Sequence, residues 1–321
     1  MLKRYAASIA FACALVATST ASHAQSSNVT FASWGGAVQE GEVKGLLADA
    51  AKLGVSIRQE RHGGWTGIKS YFQSGAKGWD LATMGFARCE AADRMGALQS
   101  IDYSVVDRTK IGADLSKANY IGVYNFTFGI GYQKKKYAAN PPKNWADFWD
   151  VAKFPGRRAL TLDGLYALEA GLLADGVAPN DVYATLKTPA GLDRAMRMIE
   201  KIKPHVAVWW RSHAQIQELM RNGEVDIALI PNARARTLVE DGADVAFEWN
   251  QAFLDQECFM VPKTALNPAG AMKLINAALD PVNQSNFAKR VGYGPINTKA
   301  FDTGILTPAE IAWMPMAPQN L

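Results

Sequence analysis

Val29-Thr30-Phe31-Ala32-Ser33 is a short run of strand-forming residues, and it ends at Trp34-Gly35-Gly36. Helix-forming residues follow from Gln39 to Leu53, and Gly54 ends that helix. Val55 to Glu60 then predicts a second strand. The stretch therefore predicts a strand, a helix and another strand in direct succession, which is the repeating unit of an α/β fold.

The same alternation continues along the chain. Further strands are predicted at Asp80–Met84, Arg158–Leu162 and Val225–Ile230, with amphipathic helices between them. We therefore expect an α/β fold with mainly parallel sheets and helices on both faces. Ligands of such folds collect at the carboxyl ends of the strands, so those ends are where binding residues are sought.

The composition is that of an ordinary globular protein. The chain has 321 residues, enough for two lobes, with 49% apolar and 20% charged residues. The formal net charge is +4, and Lys134-Lys135-Lys136 is a short basic run typical of a solvated surface. The sequence therefore gives no indication of nucleic-acid binding.

The first 24 residues have the pattern of a cleaved secretory signal peptide. Lys3 and Arg4 precede an apolar run from Ala6 to Ala17, which is too short to span a bilayer. Ser22-His23-Ala24 matches the small-x-small rule of signal peptidase. We therefore expect a mature protein that begins at residue 25 and is exported.

The motifs of catalysis and of cofactor binding are absent from the sequence. His62, His205 and His213 do not pair with another ligand residue at metal-ligand spacing. There is no Gly-x-Ser-x-Gly elbow and no phosphate loop, and Gly129-Ile130-Gly131 lacks the third glycine of a dinucleotide fingerprint. A binding protein without cofactor or metal is favoured over an enzyme.

A series of short motifs resembles one family throughout the predicted mature chain. The chain is similar to the polyamine-type (spermidine/putrescine) periplasmic solute-binding proteins of bacterial ABC importers. The motifs that carry the resemblance are Phe31–Gly36, Trp79-Asp80-Leu81, Asn144–Asp150, Lys153–Leu160, Leu172–Gly176, Gly223–Asp226 and Tyr293–Asn297.

The resemblance implies a two-lobed fold of type II with the ligand cleft between the lobes. Lobe 1 would comprise residues 25–131 and 260–300, and lobe 2 would comprise residues 132–259 and 301–321. It further implies a small-molecule solute, an ABC permease in the inner membrane as partner, a monomeric state and periplasmic localisation. Cys258 adjoins the expected hinge, where a disulfide to Cys89 would tether the lobes, so two unpaired thiols are expected.

The resemblance also implies a cation pocket, because burying an ammonium group requires carboxylates and aromatic faces. Trp34 follows the first strand, where the family has a pocket aromatic. Asp163 matches a family acid, although it equally suits a helix N-cap. Tyr166 stands where the family has a second acid, which removes a charge. Asp255 and Glu257 lie on the segment that returns to lobe 1 and are expected to bind an amine.

Other residues at the same strand ends favour an anion instead. Arg88, Arg211 and Arg234 could bind a carboxylate, and Ser212 is expected to cap a helix beside Arg211. Surface or interlobe salt bridges are at least as good an interpretation of each arginine. The remaining expected ligand-binding residues are Trp65, which follows Gly63-Gly64, and Gly85 and Phe86, which follow a strand.

The leading sequence-based hypothesis is therefore a periplasmic protein that delivers a polyamine or related amine to an ABC importer. One alternative is a carboxylate or zwitterionic solute, such as an opine, an amino acid or an organic acid. A second alternative is a periplasmic sensor partner that docks on a receptor rather than on a permease.

Overall fold

The structure is a computed structural model that describes residues 27–162, 164–317 and 320. The expected signal peptide and Asp163 lie outside these residues. The strands are β1 Ser27–Ser33, β2 Val55–Arg61, β3 Leu81–Gly85, β4 Tyr120–Gln133, β5 Arg158–Thr161, β6 Val206–Trp210, β7 Ile227–Pro231, β8 Val245–Met260 and β9 Gly294–Pro295.

The α-helices alternate with these strands over much of the chain. They are α1 Gly36–Gly41, α2 Gly64–Ser74, α3 Phe86–Arg94, α4 Trp145–Trp149, α5 Ala167–Ala174, α6 Val182–Leu186, α7 Pro189–Ile202, α8 His213–Arg221, α9 Asn232–Glu240, α10 Pro268–Ala278, α11 Pro281–Val291 and α12 Pro308–Ile311.

The strands form one sheet in the order β2-β1-β3-β8-β4-β7-β5-β6, and β9 pairs with β4. We call β1, β2 and β3 the first half of the sheet, and β5, β6 and β7 the second half. Within each half the ladders are parallel, as the sequence predicted. The long strands β4 and β8 are antiparallel and connect the halves, so the sheet as a whole is mixed.

Helices cover both faces of the first half, as expected. Val29 and Phe31 of β1 pack with residues of α10 and α11, whereas Ala32 of the same strand packs with residues of α2 and α3. Because successive side chains of a strand point to opposite faces, this alternation places one pair of helices on each face. The two-lobed α/β architecture predicted from the sequence is confirmed.

The helix expected from Gln39 to Leu53 is interrupted. After α1 the chain forms a π-helical turn over Glu42–Leu46, and a 3₁₀ turn over Ala51–Leu53 precedes Gly54. Cβ atoms at Gly41 and Gly45 would lie 2.2 Å from Val291 and 2.6 Å from Phe287. These glycines therefore allow α11 to pack closely against this segment, which is where the expected α-helix is interrupted.

The expectation of two unpaired cysteines is wrong. Cys89 on α3 and Cys258 on β8 form a disulfide. The sequence favours unpaired cysteines because a disulfide between them would tether the two lobes. Cys258, however, lies in the part of β8 that pairs with β3, so both cysteines belong to the first half and the bond does not cross between the halves.

The last described residues contact both halves of the sheet. Leu306 and Met314 pack with Ala288 of α11, whereas the carbonyl of Trp313 accepts a hydrogen bond from Asn232 at the start of α9. In the part of the chain that the structure describes, no helix has the length and apolar character needed to cross a membrane.

Candidate functional site

The carboxyl ends of strands from both halves lie beside the middle of β4 and β8. Trp34 and Phe86 directly follow β1 and β3 in the first half, and Asn232 directly follows β7 in the second. In the middle of β8, Glu257 pairs with Tyr124 of β4 and Asp255 pairs with Phe126. Because residues directly opposite each other in a ladder point to the same face, these four side chains share one face of the sheet.

Glu257 is held by residues of the first half. Its side chain is 3% exposed, and its Oε1 accepts hydrogen bonds from Trp34 Nε1 at 2.6 Å and from Thr83 Oγ1 at 3.2 Å. Gly85 lies directly opposite Glu257 in the β3–β8 ladder, and the space that a Cβ there would occupy is open. Glycine at this position therefore leaves room beside the carboxyl group.

A second buried acid lies close to Glu257. Glu42 is fully buried and accepts hydrogen bonds from the hydroxyls of Ser33 and Tyr124. Burial raises the pKa of Glu42 to about 8, and burial together with the neighbouring charges of Glu42 and Asp255 raises the pKa of Glu257 well above its ordinary value. A cation that approached Glu257 would favour its ionised form.

Trp34 forms a partly exposed aromatic surface beside Glu257. Its side chain is 38% exposed, and its indole N–H donates a hydrogen bond to Glu257. The ring of His62 packs edge-to-face against the Trp34 ring at 4.7 Å. Trp65, in the first turn of α2, is half-buried and contacts the guanidinium of Arg88 at 5.5 Å. Trp34 follows β1, Trp65 lies on the helix after β2 and Arg88 lies on the helix after β3, so all three residues belong to the first half.

Asp255 is held mainly by the second half. Its Oδ2 accepts a hydrogen bond from the Tyr166 hydroxyl, and its Oδ1 accepts one from the backbone N–H of Gln256 at 2.7 Å. The Tyr166 ring stacks on Phe253 at 5.3 Å and also contacts Phe128 at 4.9 Å. The residue that replaces the expected second acid is thus a buried hydrogen-bond donor to another acid.

Tyr166 has a strained backbone. Its φ is 59°, a left-handed conformation that costs a residue with a large side chain of order 1–3 kcal/mol. The residue lies immediately before α5, and its side chain is held by Asp255 and by two aromatic rings. The surrounding contacts therefore fix this conformation and aim the hydroxyl at Asp255.

Burial raises the pKa of Asp255, and it also raises the pKa of Glu169, one helical turn after Tyr166. The charge of Asp255 contributes to the shift at Glu169, and both charges act on the phenol of Tyr183. Glu169 and Tyr183 therefore lie near Asp255, and we call these three residues the wall of the second half. Sequence reasoning did not include either residue.

The arginines expected to bind an anion lie at three different strand ends. Arg234, in the first turn of α9, is partly buried and donates from Nη1 to Gln217 at 3.0 Å. Arg211 is exposed after β6, and Ser212 caps α8 as expected by accepting from the backbone N–H of Gln215 at 3.2 Å. Burial raises the pKa of Tyr293 to about 12; the charge of Arg234 partly opposes this rise, and the charge of Glu257 adds to it.

The charged residues of the site are not paired with one another. Among the described residues, no ion pair involves the acids Glu42, Glu169, Asp255 and Glu257 or the arginines Arg88, Arg211 and Arg234. Ion pairs do form elsewhere, for example between Arg157 and Asp226 at 3.0 Å. Salt bridges, the alternative interpretation of the three arginines, are not formed with any residue that the structure describes.

Phe86 and Asp163 are the remaining residues that the sequence assigned to the site. Phe86 packs on Tyr120 at 5.0 Å within the first half. Asp163 lies outside the described residues, so its role as a ligand or as a helix cap stays a prediction. In the part of the chain that is described, no cluster of three or more potential ligand residues could hold a metal ion.

The residues that sequence reasoning missed gave weak signals. Glu42 lies in a polar helical run and has the pattern of a surface residue. Thr83 is an ordinary strand residue, and Tyr293 was noted only as part of a motif. Their relation to Glu257 depends on strand pairing and on the packing of α11, which short-range sequence patterns do not contain.

Comparison with solved structures confirms the fold. An ABC transporter substrate-binding protein from Bradyrhizobium japonicum USDA 110 is 36% identical and superposes with a TM-score of 0.84, covering 92% of this chain and 91% of that chain. A PBP from A. tumefaciens B6 in complex with glucopine is 33% identical, with a TM-score of 0.85 and coverage of 91% of both chains.

The relatives differ in how similar they are to this chain. The gamma-aminobutyric acid-binding protein of Pseudomonas aeruginosa is 29% identical over 315 residues, 95% of this chain and 87% of the relative. The spermidine/putrescine-binding periplasmic protein of Escherichia coli K12 is 23% identical over 312 residues, 93% of this chain and 86% of the relative. The expected resemblance to polyamine-binding proteins is thus real but more distant.

The model of one family also matches most of the chain, over residues 50–314. Its members bind small-molecule solutes, and those of ABC importers work with a membrane permease and are not enzymes. The protein belongs to the bacterial extracellular solute-binding proteins.

Proposed function

We propose that this protein delivers to an ABC importer a small solute that carries both an amine and a carboxylate. The observation that supports the proposal most is the set of unpaired charges around the central strands of the sheet, where the carboxyl ends of strands from both halves meet. Acids in the middle of β8 and arginines at neighbouring strand ends lack ion-pair partners among the described residues. A zwitterion would offer its amine to the acids and its carboxylate to the arginines.

The amine is proposed to bind at Glu257. A buried ammonium group requires a carboxylate partner, because its desolvation is otherwise very costly. Glu257 has such a carboxylate, with Trp34 beside it and open space at Gly85. A cation over the face of a tryptophan gains a further ~0.5–2 kcal/mol.

The carboxylate is proposed to bind at an arginine, with Arg234 the first choice. The charges of Arg234 and Glu257 act on the same phenol, that of Tyr293, so the two groups flank a common region. A guanidinium can donate two parallel hydrogen bonds to one carboxylate. Arg88 and Arg211 are the remaining candidates for longer solutes.

This proposal replaces the polyamine that the sequence favoured. A polyamine would leave the arginines without an anion and would place like charges in one cleft. Gamma-aminobutyric acid, which a more similar relative binds, carries an amine at one end and a carboxylate at the other. The zwitterionic alternative of the sequence-based hypothesis is therefore the better supported of the two.

Closure of the two lobes would convert binding into a shape that the permease recognises. We propose residues 25–131 with 260–300 as lobe 1 and residues 132–259 with 301–321 as lobe 2, except that residues 257–259, which pair with β3 and include Cys258 of the disulfide, belong with lobe 1. A solute that contacts both lobes stabilises the closed state relative to the open one. Cleavage of a signal peptide after residue 24, release into the periplasm and a monomeric state complete the proposal.

The test is a series of four-carbon solutes that differ only in their end groups. Putrescine has two amines, gamma-aminobutyric acid has one amine and one carboxylate, and succinate has two carboxylates. The mature protein would be unfolded and refolded to remove bound solute, and thermal unfolding would then be measured with each compound, with α-amino acids and with opines. A solute at 100 times its Kd adds about 2.7 kcal/mol of stability.

We expect stabilisation by compounds that carry both groups and none by putrescine or succinate. Arg234→Gln should abolish the preference for a carboxylate, whereas Arg197→Gln on an exposed position of α7 is the matched control. Stabilisation by putrescine alone, unaffected by Arg234→Gln, would restore the polyamine hypothesis. Solute uptake that requires a permease separates transport from a role as a sensor partner.

A further inference from the structure

The disulfide joins the two segments that carry opposite charges at the site. Cys89 follows Arg88 in the first turn of α3, and Cys258 follows Glu257 on β8. Both sulfur atoms contact the carbonyl oxygen of Met84, at 3.7 Å and 3.1 Å. The cross-link is therefore one residue away from an arginine and from an acid of the proposed site.

The bond and the acid lie on opposite faces of the same strand. Met84 pairs with Cys258 and Gly85 pairs with Glu257 in the β3–β8 ladder, and successive side chains alternate between faces. The cross-link thus anchors the backbone of β8 from the face that α3 covers. The carboxyl group of Glu257 lies on the other face, where it contacts Trp34.

The ladder between β8 and β4 is irregular at this point, whereas the ladder between β8 and β3 is regular. Its ladder with β4 shifts register between Gly122, which pairs with Cys258, and Tyr124, which pairs with Glu257. An irregularity of this kind bends a strand and interrupts its ladder. The disulfide lies directly beside the interruption, on the stretch of β8 that pairs with β3 on its other edge, and so adds a covalent link where the β4 ladder is irregular.

We propose that the Cys89–Cys258 disulfide is a positioning device for solute binding, which holds the strand of Glu257 and the helix of Arg88 in their binding geometry. The proposal rests on the proposed function in one respect, namely that Glu257 binds the solute. Its geometric part, the placement of Glu257 beside Trp34, can be tested without any solute.

The solute-free test uses the indole N–H of Trp34, which donates to Glu257. Its NMR resonance would be assigned by its loss in Trp34→Phe and compared between the wild type and the Cys89→Ala/Cys258→Ala variant. We expect the variant to shift and broaden this resonance. Leu274→Ala, in the fully buried core of the first half on α10, is the control that lowers Tm and leaves the resonance unchanged.

The binding test is a double-mutant cycle with gamma-aminobutyric acid as the probe. Removing the disulfide should raise the Kd of gamma-aminobutyric acid about tenfold, which is the size of coupling found between residues in contact. In a Glu257→Gln background, removing the disulfide should raise the Kd no further. The loss of Tm should be equal in both backgrounds. A merely structural disulfide would change Tm and leave the cycle additive.

Reduction of the folded wild type provides the same comparison where the double variant does not fold. Dithiothreitol reduces the disulfide to two thiols and is itself oxidised to its cyclic disulfide. An unchanged Trp34 resonance after reduction overturns the positioning role, whatever the solute. A changed resonance with no effect of Glu257→Gln on binding overturns instead the assignment of the amine to Glu257.

Discussion

Glu257 and Asp255 lie two residues apart on β8 and on the same face, yet opposite halves of the molecule hold them. The first half supplies the donors to Glu257, namely Trp34 and Thr83. The second half supplies Tyr166 to Asp255. The pairing of β3 with β8 extends from Met260 to Glu257 and does not reach Asp255, which explains the division.

The two acids also differ in what they can still accept. Both oxygens of Asp255 already accept hydrogen bonds, one from Tyr166 and one from the N–H of Gln256. Both donors to Glu257 reach the same oxygen, Oε1, and Oε2 accepts none from the described residues. The free Oε2 of Glu257 lies beside open space and therefore suits an ammonium group. Both oxygens of Asp255 already accept hydrogen bonds, so this carboxylate is better suited to holding the neighbouring side chains in place.

The largest effect is therefore expected from Glu257→Gln. The amide keeps the shape and an acceptor oxygen but removes the charge that pairs with the solute's amine. Loss of one member of a buried charge pair costs about 2–5 kcal/mol, so the Kd of the preferred solute should rise roughly 30-fold or more. Isothermal titration calorimetry measures the change.

The matched control is Glu224→Gln, at an exposed position between α8 and β7. This variant should leave the Kd unchanged. Equal Kd values for Glu257→Gln and the control would contradict the assignment of the amine to Glu257 and would move it to another acid.

The pH dependence of binding distinguishes the two acids further. Burial raises the pKa of Glu257 well above its ordinary value, so at pH values below that pKa the carboxyl group carries a proton. An arriving ammonium group favours the ionised form, so binding releases this proton and affinity rises with pH, by up to about tenfold per unit.

Calorimetry in two buffers of different ionisation enthalpy measures the proton release directly. We expect release in the wild type and in Asp255→Asn, and none in Glu257→Gln. Uptake of a proton on binding, or release that persists in Glu257→Gln, would show that another group titrates.

The fold could be predicted from sequence where short-range patterns are sufficient. The run from Val29 to Glu60 predicted the parallel pair β1 and β2, and the later strands β5 and β7 were found in the same way. The crossing strands β4 and β8 were not recognised as strands, although they determine the mixed sheet. Their pairing joins residues about 130 positions apart, and no local pattern specifies such a partner.

The site was predictable in part for the same reason. Trp34, Gly85 and Glu257 were named from strand ends and from the resemblance, and the structure brings them together. The disulfide was missed because the boundary between the lobes was placed near Cys258, whereas β8 carries that residue into the first half. The spacing of residues in the sequence does not reveal in which half of the molecule a given residue of a crossing strand lies.

A smaller effect is expected from Asp255→Asn. Asp255 contributes negative charge near Glu257 but has its own donors, so its removal should raise the Kd about tenfold, corresponding to about 1.4 kcal/mol. The asparagine oxygen can still accept from Tyr166, but its NH2 group cannot accept from the N–H of Gln256, so one of the two hydrogen bonds is lost. Asp181→Asn, on the exposed surface, is the control, and a larger loss than in Glu257→Gln would reverse the proposed ranking of the acids.

The smallest effect is expected from Tyr166→Phe, which isolates the hydrogen bond between the second half and β8. The ring and its stacking on Phe253 remain, and only the hydroxyl that donates to Asp255 is removed. Stability should fall by about 0.5–1.5 kcal/mol, measured by urea denaturation. The hydrogen bond lowers the pKa of Asp255, so its loss raises that pKa further and should weaken amine binding about threefold at most.

Tyr183→Phe, at a side chain that is 59% exposed, removes a hydroxyl at the outer part of the same wall and serves as the matched control. If the two variants behave alike, the hydroxyl of Tyr166 does not hold Asp255 in solution. If Tyr166→Phe instead weakens binding as much as Glu257→Gln, Asp255 is itself the amine ligand, because only a directly bound carboxylate would depend so strongly on one donor.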